Sequence, residues 1–141
     1  MLKVSITSKG AQYAYKVAAR THSFDIDAET THKGGDTAIN PHEAALGGLG
    51  GCTVMTMAMY AAQKGWSVTF ELTEVTEDKI DDPADTSEGT KKKIPHIVER
   101  ITVKGATDEQ LAKLKDIGKR CPVYLLMVNP KVIDLEVEHA V

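Results

Sequence analysis

Apolar residues occupy every second position in three short stretches of the first 28 residues. They are Leu2, Val4 and Ile6, then Tyr13, Tyr15 and Val17, then Phe24, Ile26 and Ala28. An alternation with period two is typical of strands that bury one face. Lys9-Gly10 and Arg20-Thr21 separate the stretches, so the pattern predicts a meander of three antiparallel strands. A polar loop with the turn sequence Lys33–Asp36 follows.

A long helix is predicted next, because the segment from Ala44 to Ala62 contains no charged residue. Asn40 can cap this helix, a proline follows it, and Glu43 lies three residues after the cap. Gly65 ends the helix after Lys64. A segment of this length can span a bilayer, but it is rich in glycine and threonine and is flanked by alternating strands. We therefore predict the fully buried central helix of a water-soluble domain.

Four glycines lie near the middle of this helix, namely Gly47, Gly48, Gly50 and Gly51. Each costs about 1 kcal/mol relative to alanine in a helix. Close approach of another element, or of a partner subunit, is a physical reason to accept that cost. Glycines that are merely tolerated are the alternative.

The second half of the chain alternates strands with short helices. Val68, Phe70 and Leu72 predict a strand that ends around Thr76, and Ile97, Ile101 and Val103 predict another whose inward face also holds Glu99. Residues 78–93 are polar and predict a solvated hairpin connection. Thr107 and Gln110 form a capping box for a second helix, whose apolar stripe is Leu111, Leu114 and Ile117. A third helix begins at Cys121-Pro122, and Ile133, Leu135 and Val137 predict a last strand.

The predicted order is therefore βββ-α-ββ-α-α-β in one domain over residues 1–141. Strands that do not alternate regularly with helices indicate an α+β fold with a mainly antiparallel sheet around the glycine-rich helix.

Composition excludes some classes of function. The chain has 141 residues, a formal net charge of −3 and 5% aromatic residues, whereas nucleic-acid-binding domains are usually basic and stack bases on aromatic rings. We expect no nucleic-acid or membrane partner. The N-terminal residues lack a secretory signal, and two cysteines without one favour a reducing, cytoplasmic location.

The two cysteines are the most informative chemical feature. Cys121 lies at a predicted helix N-terminus, where backbone N–H groups stabilise a thiolate, whereas Cys52 lies deep inside its helix and needs a nearby cation. Arg20 is the candidate for that cation. If the two sulfurs meet, one thiolate can attack a peroxide and the second thiol can condense with the sulfenic acid to give a disulfide. Each cysteine taken alone is a packing residue by default, and the chemical interpretation depends on the pair.

No metal or cofactor is expected. The five histidines and two cysteines match no zinc-ligand spacing. The glycines lie inside the helix and form no phosphate-binding or dinucleotide-binding motif.

Two segments carry a resemblance to a known family. The run NPHEAALGGLGGCTVMTMAMYAAQKGW, residues 40–66, resembles the central helix of the OsmC/Ohr family, and GATDEQLAKLKDIGKRCPVY, residues 105–124, resembles its second-cysteine segment. The resemblance implies an intertwined homodimer with active sites at the subunit interface. It also implies an antioxidant thiol peroxidase that reduces organic hydroperoxides, with Cys52 as the peroxidatic and Cys121 as the resolving residue. A lipoyl or thioredoxin-like dithiol would be its reductant.

The hydroperoxide-resistance branch of that family has a glutamate directly after the proline, and His42 stands there in this chain. Glu43 lies about 180° around the helix from Cys52, so it is placed to cap the helix and not to touch the sulfur. The chain is therefore more similar to the general OsmC-like branch.

Two functions of different classes follow. In the first, a two-cysteine peroxidase binds organic hydroperoxides in an apolar pocket lined by Leu49, Met55 and Met59, although such residues are more often plain core. In the second, the chain is a non-catalytic dimeric module that binds a small apolar ligand or acts as a slow redox sensor.

Overall fold

The computed structural model describes residues 1–140, which form two antiparallel sheets and three α-helices. The elements are β1 (Ser5–Ser8), β2 (Tyr15–Ala19), β3 (His22–Ile26), a 3-10 turn (Thr30–His32), α1 (Pro41–Gln63), β4 (Thr69–Asp81), β5 (Lys93–Lys104), α2 (Asp108–Gly118) and α3 (Pro122–Val128). The predicted α+β class is confirmed. Contacts divide the chain into two compact units, which meet in sequence between Gly48 and Leu49 within α1. The prediction of one domain over residues 1–141 stays a prediction.

The first unit contains the predicted three-stranded meander. β1, β2 and β3 pair antiparallel in that order. Gly10 and Arg20 have positive φ angles of 89° and 55° in the two connections, where the sequence predicts turns. The strands are displaced along the chain from the alternating patterns, so that Leu2, Tyr13 and Ala28 lie outside the sheet.

Helix α1 begins where its capping signals predict. The Asn40 side-chain oxygen accepts the Glu43 N–H at 2.8 Å, and the Glu43 carboxylate accepts the Asn40 N–H at 2.8 Å. Gly65, with φ 66°, follows the end of the helix. A capping box of this kind satisfies backbone N–H groups that have no partner in the first turn.

The prediction that α1 is fully buried is wrong for this chain. Its buried residues form one stripe, consisting of Leu49, Gly50, Thr53, Met57 and Ala61. Met55 and Met59 are 57% and 59% exposed. The stripe packs against neighbouring elements, whereas the rest of this apolar helix is open in the single chain. By length and composition α1 could cross a membrane, a test that the core helix of a soluble protein also passes.

The glycine prediction is confirmed at Gly50. A Cβ atom at Gly50 would lie 2.5 Å from the Val75 side chain on β4, so only glycine fits the observed distance between helix and strand. A Cβ at Gly47, Gly48 or Gly51 would meet no atom within 4 Å among the described residues. Packing among the described residues therefore does not require glycine at those three positions.

Strands β4 and β5 form a long hairpin whose pairing continues from Thr69↔Lys104 to Asp81↔Lys93. The prediction of a connection over residues 78–93 is therefore wrong at both ends, and the loop spans residues 82–92. Charged residues continue the ladder because the end of the hairpin is exposed on both faces. An ion pair between Lys93 and Asp81 at 2.6 Å joins the last pair of residues.

Helix α2 packs on α1 and forms the core of the second unit. Its predicted capping box, Thr107 with Gln110, is confirmed. Leu114 lies with Met57 and Ala61 in the hydrophobic core. At the end of α2, a Cβ on Gly118 would lie 3.1 Å from the Thr53 methyl group. This glycine therefore allows α2 to approach α1 close to Cys52.

The predicted last strand does not form among the described residues. Residues 130–140 contain no helix or strand, and Ile133, Leu135 and Val137 are 83–88% exposed. Their alternation suits a strand, but a strand also needs a partner edge for its backbone hydrogen bonds, and no described strand supplies one.

Candidate active site

The fold brings Cys52 and Cys121 together. Cys52 lies on α1 and is partly buried, whereas Cys121 directly precedes α3 and is 0% exposed. Both are free cysteines. The two thiols lie near enough for each to shift the pKa of the other. The fold therefore places both thiols of the predicted pair in one neighbourhood of the second unit.

Cys121 is the N-cap of α3. Its backbone is extended, Pro122 occupies the first turn, and its sulfur accepts the Tyr124 N–H at 3.3 Å. Sulfur here replaces the side-chain oxygen that usually accepts the N–H of an early helical residue. The cap therefore fixes the orientation of the Cys121 side chain.

Thr53 also contacts this sulfur. Its hydroxyl donates to Cys121 Sγ at 3.8 Å, and its side chain is buried, with 3% of the residue exposed. Sequence reasoning missed Thr53, although a signal existed. Thr53 is four residues after Leu49 and four before Met57, so it is a polar residue on an otherwise apolar face of the helix. A buried hydroxyl needs a hydrogen-bond partner.

The environment of Cys121 favours its thiolate. Burial opposes ionisation, but hydrogen bonds from the Cys52 thiol, the Tyr124 N–H and the Thr53 hydroxyl together hold the pKa of Cys121 below its ordinary value. The Val123 N–H acts in the same direction. The first proton that the pair loses is therefore the Cys121 proton.

The environment of Cys52 has the opposite effect. Burial is the main cause that raises the pKa of Cys52, and the hydrogen bond with Cys121 raises it further. The Val123 N–H and the Thr56 hydroxyl only partly offset this rise in pKa. A peroxidatic Cys52 must ionise before it attacks, so it needs a positive charge beyond these groups.

Arg20, the residue predicted to supply that charge, lies in the exposed turn between β2 and β3 of the first unit. It adopts a left-handed backbone conformation, which is uncommon for a residue with a side chain. Its assignment to the thiolate stays a prediction.

The predicted apolar pocket is not formed by its three named residues. Leu49 is buried in the core stripe of α1, whereas Met55 and Met59 project from an exposed face of the helix. Six residues separate Leu49 from Met55, which turns the two side chains about 120° apart around the helix axis.

Other potential sites are limited. Among residues 1–140, no group of three or more His, Cys, Asp or Glu could hold a metal ion. A cavity of about 320 Å³ lies between α2 and β5 and is lined partly by Glu99 and Lys115. The Glu99 Oε1 atom is buried without a hydrogen-bond partner among the described residues.

Comparison with known protein families identifies the family of this chain. The model of the family OsmC, described as OsmC-like protein, matches residues 34–136. The chain belongs to the OsmC family. The matched range contains both cysteines, and the predicted resemblance is confirmed. A search of curated proteins finds no match.

Solved structures of OsmC-family proteins share the fold. OhrB of Bacillus subtilis, an organic hydroperoxide resistance protein, is 17% identical with a TM-score of 0.59, over 91% of this chain and 90% of OhrB. An organic hydroperoxide resistance protein from Elizabethkingia anophelis is 14% identical with a TM-score of 0.60, over 91% and 88%. An OsmC-like protein from Mycoplasma pneumoniae is 15% identical with a TM-score of 0.60, over 90% and 86%. At these identities the likeness shows the fold.

Proposed function

We propose that this chain is a thiol-dependent peroxidase that reduces organic hydroperoxides through a two-cysteine cycle. The observation that carries the proposal is the proximity of the Cys52 and Cys121 thiols, each of which shifts the pKa of the other although 69 positions separate them in the sequence. Two relatives of the same fold are described as organic hydroperoxide resistance proteins. Two free thiols in contact are also what a disulfide-forming cycle requires.

Cys52 is proposed as the peroxidatic residue because it is the more accessible thiol. Its thiolate attacks the terminal oxygen of ROOH, the O–O bond breaks, and the leaving alkoxide takes a proton to become ROH. Cys52 is then a sulfenic acid. The Cys121 thiolate attacks the Cys52 sulfur, forms the disulfide and releases the hydroxyl group as water after protonation. A lipoyl or thioredoxin-like dithiol reduces the disulfide by exchange.

Arg20 is proposed as the cation that allows Cys52 to ionise. In the contacts described here, burial and Cys121 hold the pKa of Cys52 above its ordinary value. A guanidinium next to the sulfur would oppose both effects, because a positive charge favours the thiolate.

A homodimer is proposed as the working form. Met55 and Met59 on α1 are exposed, and so are the alternating apolar residues Ile133, Leu135 and Val137. A second copy of the chain that covers α1 and pairs with the C-terminal segment would bury these side chains. It would also supply hydrogen-bond partners for the backbone of that segment. We also propose a cytoplasmic location, because both thiols of the pair must be re-reduced in every cycle.

The test is a steady-state assay with cumene hydroperoxide, using dihydrolipoamide or thioredoxin as the reductant. We expect turnover by the wild-type protein and none by Cys52→Ser. Cys121→Ser should complete the first step only, after which Cys52 proceeds to sulfinic acid in excess peroxide, as detected by mass spectrometry. Hydrogen peroxide serves as the comparison substrate.

The outcomes separate the two classes of function. No turnover with either reductant, together with thiols that cumene hydroperoxide leaves unoxidised, would favour a non-catalytic module that binds a small apolar ligand. A monomeric mass by light scattering at micromolar concentration would contradict the proposed dimer.

A further inference from the structure

Thr53 makes a contact that the two-cysteine cycle alone does not require. It follows Cys52 directly on α1, yet its hydroxyl donates to the sulfur of the other cysteine, Cys121, at 3.8 Å. Threonine hydroxyls in helices commonly bond a carbonyl of the preceding turn, as Thr56 does with the Cys52 carbonyl at 2.8 Å. The Thr53 hydroxyl instead links α1 to the residue that caps α3.

The surroundings of the two sulfurs are unequal. The Cys121 sulfur is shielded from solvent and accepts the Tyr124 N–H at 3.3 Å in addition to the Thr53 hydroxyl. Cys52 is only partly buried. The buried sulfur therefore has fixed hydrogen-bond donors, and Cys52 is the more accessible of the two cysteines.

We propose that Thr53 is a positioning residue that holds the Cys121 sulfur as the thiolate leaving group, so that the external reductant attacks the disulfide at Cys52. The inference rests on the two-cysteine cycle of the proposed function and assigns the direction of its reductive half. Access and leaving-group stability are two factors that select which sulfur of a disulfide is attacked. Both favour attack at Cys52.

The step balances as an ordinary exchange. An external thiolate forms a bond to Cys52 Sγ, the Cys52–Cys121 bond breaks, and its electron pair stays on Cys121 Sγ, where Thr53 and the Tyr124 N–H donate to it. The second thiol of the dithiol then attacks the external sulfur of the mixed disulfide. Cys52 leaves as a thiolate and takes a proton from solvent, and the dithiol becomes a disulfide.

The site of attack is tested by trapping the mixed disulfide. The full-length protein is oxidised with diamide, which forms the disulfide without any hydroperoxide. It is then opened with excess 2-mercaptoethanol, quenched with acid at early times, alkylated and mapped by peptide mass spectrometry. We expect at least ten adducts on Cys52 for each one on Cys121. Equal labelling, or labelling mainly on Cys121, would overturn the proposal.

The role of Thr53 is tested by Thr53→Val, which keeps the shape and removes the hydroxyl. The hydrogen bond from Thr53 to the Cys121 sulfur is a weak one, because its two heavy atoms lie 3.8 Å apart. We expect opening of the disulfide to slow about threefold to tenfold, and the thiolate absorbance of the reduced protein to rise at higher pH. Thr53→Ser should restore both.

Thr73→Val is the matched control, because Thr73 lies partly buried on β4 and packs beside Gly50. It should change neither readout more than twofold. A Thr53→Val protein that behaves like wild type would overturn the role of Thr53. Failure of diamide to form the disulfide would overturn this inference and the proposed cycle together. Cys52 labelling with a slowed Thr53→Val, but no hydroperoxide turnover, would support the inference and contradict only the peroxidase activity.

Discussion

Replacing Gly50 by alanine tests how closely α1 packs on the β4–β5 hairpin. The new Cβ would lie 2.5 Å from a Val75 methyl group and 3.3 Å from the Thr73 methyl group. Carbon atoms in contact lie about 3.5–4.0 Å apart, so Val75 must move by about 1 Å. Both neighbours are β-branched residues on a strand, with little rotamer freedom to absorb the change.

The expected magnitude follows from two opposing effects. Overpacking a filled core costs about 1–3 kcal/mol, whereas alanine in place of a helical glycine contributes about 1 kcal/mol of stability. We expect Gly50→Ala to lower the free energy of unfolding by up to about 2 kcal/mol. Gly51→Ala is the matched control, because its Cβ would meet no atom within 4 Å among the described residues. In the isolated chain it should raise the free energy of unfolding by about 1 kcal/mol.

The assay is urea unfolding followed by circular dichroism, where the two variants should shift the midpoint in opposite directions. Gly50→Ala should lower it by up to about 1 M. A Val75→Ala background removes the offending methyl group, so there Gly50→Ala should become neutral or stabilising. If Gly50→Ala is as stable as Gly51→Ala in the wild-type background, the close packing of α1 on β4 is refuted. If Gly51→Ala is destabilising only at concentrations where the protein is a dimer, a partner covers that glycine.

Three further predictions concern the caps, the cation and the thiols. Thr107→Ala should lower the free energy of unfolding by about 1 kcal/mol because it removes the side-chain cap of α2, and a thermal melt followed by circular dichroism checks this. Arg20→Ala should slow alkylation of Cys52 at neutral pH, whereas Arg100→Ala on β5 should not, and unchanged rates for both would remove Arg20 from the proposed site. In the single-cysteine variants, the thiolate absorbance of Cys52→Ser should rise at lower pH than that of Cys121→Ser. The remaining thiol of Cys52→Ser is Cys121, which keeps the hydrogen bonds from the Tyr124 N–H and the Thr53 hydroxyl that lower its pKa; the reverse order would contradict the described environments.

Local signals in the sequence were sufficient for most elements of the fold. The capping boxes at Asn40 and Thr107 and the cap at Cys121 each depend on residues within three positions of one another, and all three helix starts are confirmed. The wrong predictions concern longer distances. The hairpin continues through Asp78 and Lys79 because a ladder needs only a facing strand, and polarity along one segment does not reveal it.

The site was predictable in its cysteines and not in its hydrogen bonds. Cys52 and Cys121 stood out as residue types with their own chemistry, and the family resemblance pointed to both. Thr53 was missed because its role depends on a sulfur in a segment far along the chain. Only packing, with Gly118 allowing α2 close to Thr53, brings that sulfur within reach.

The amino-acid sequence by itself therefore determined the class of fold, the order of its elements as far as α3, the family and the two thiols, because each is expressed by neighbouring residues or by a contiguous motif. Tertiary structure alone decided that the pKa of Cys121 is lowered and that of Cys52 is raised. A free cysteine has the same intrinsic pKa wherever it stands in a sequence. Partial burial raises the pKa of Cys52, and the Tyr124 N–H and Thr53 hydroxyl stabilise charge on Cys121; these contacts exist only when three helices have packed together.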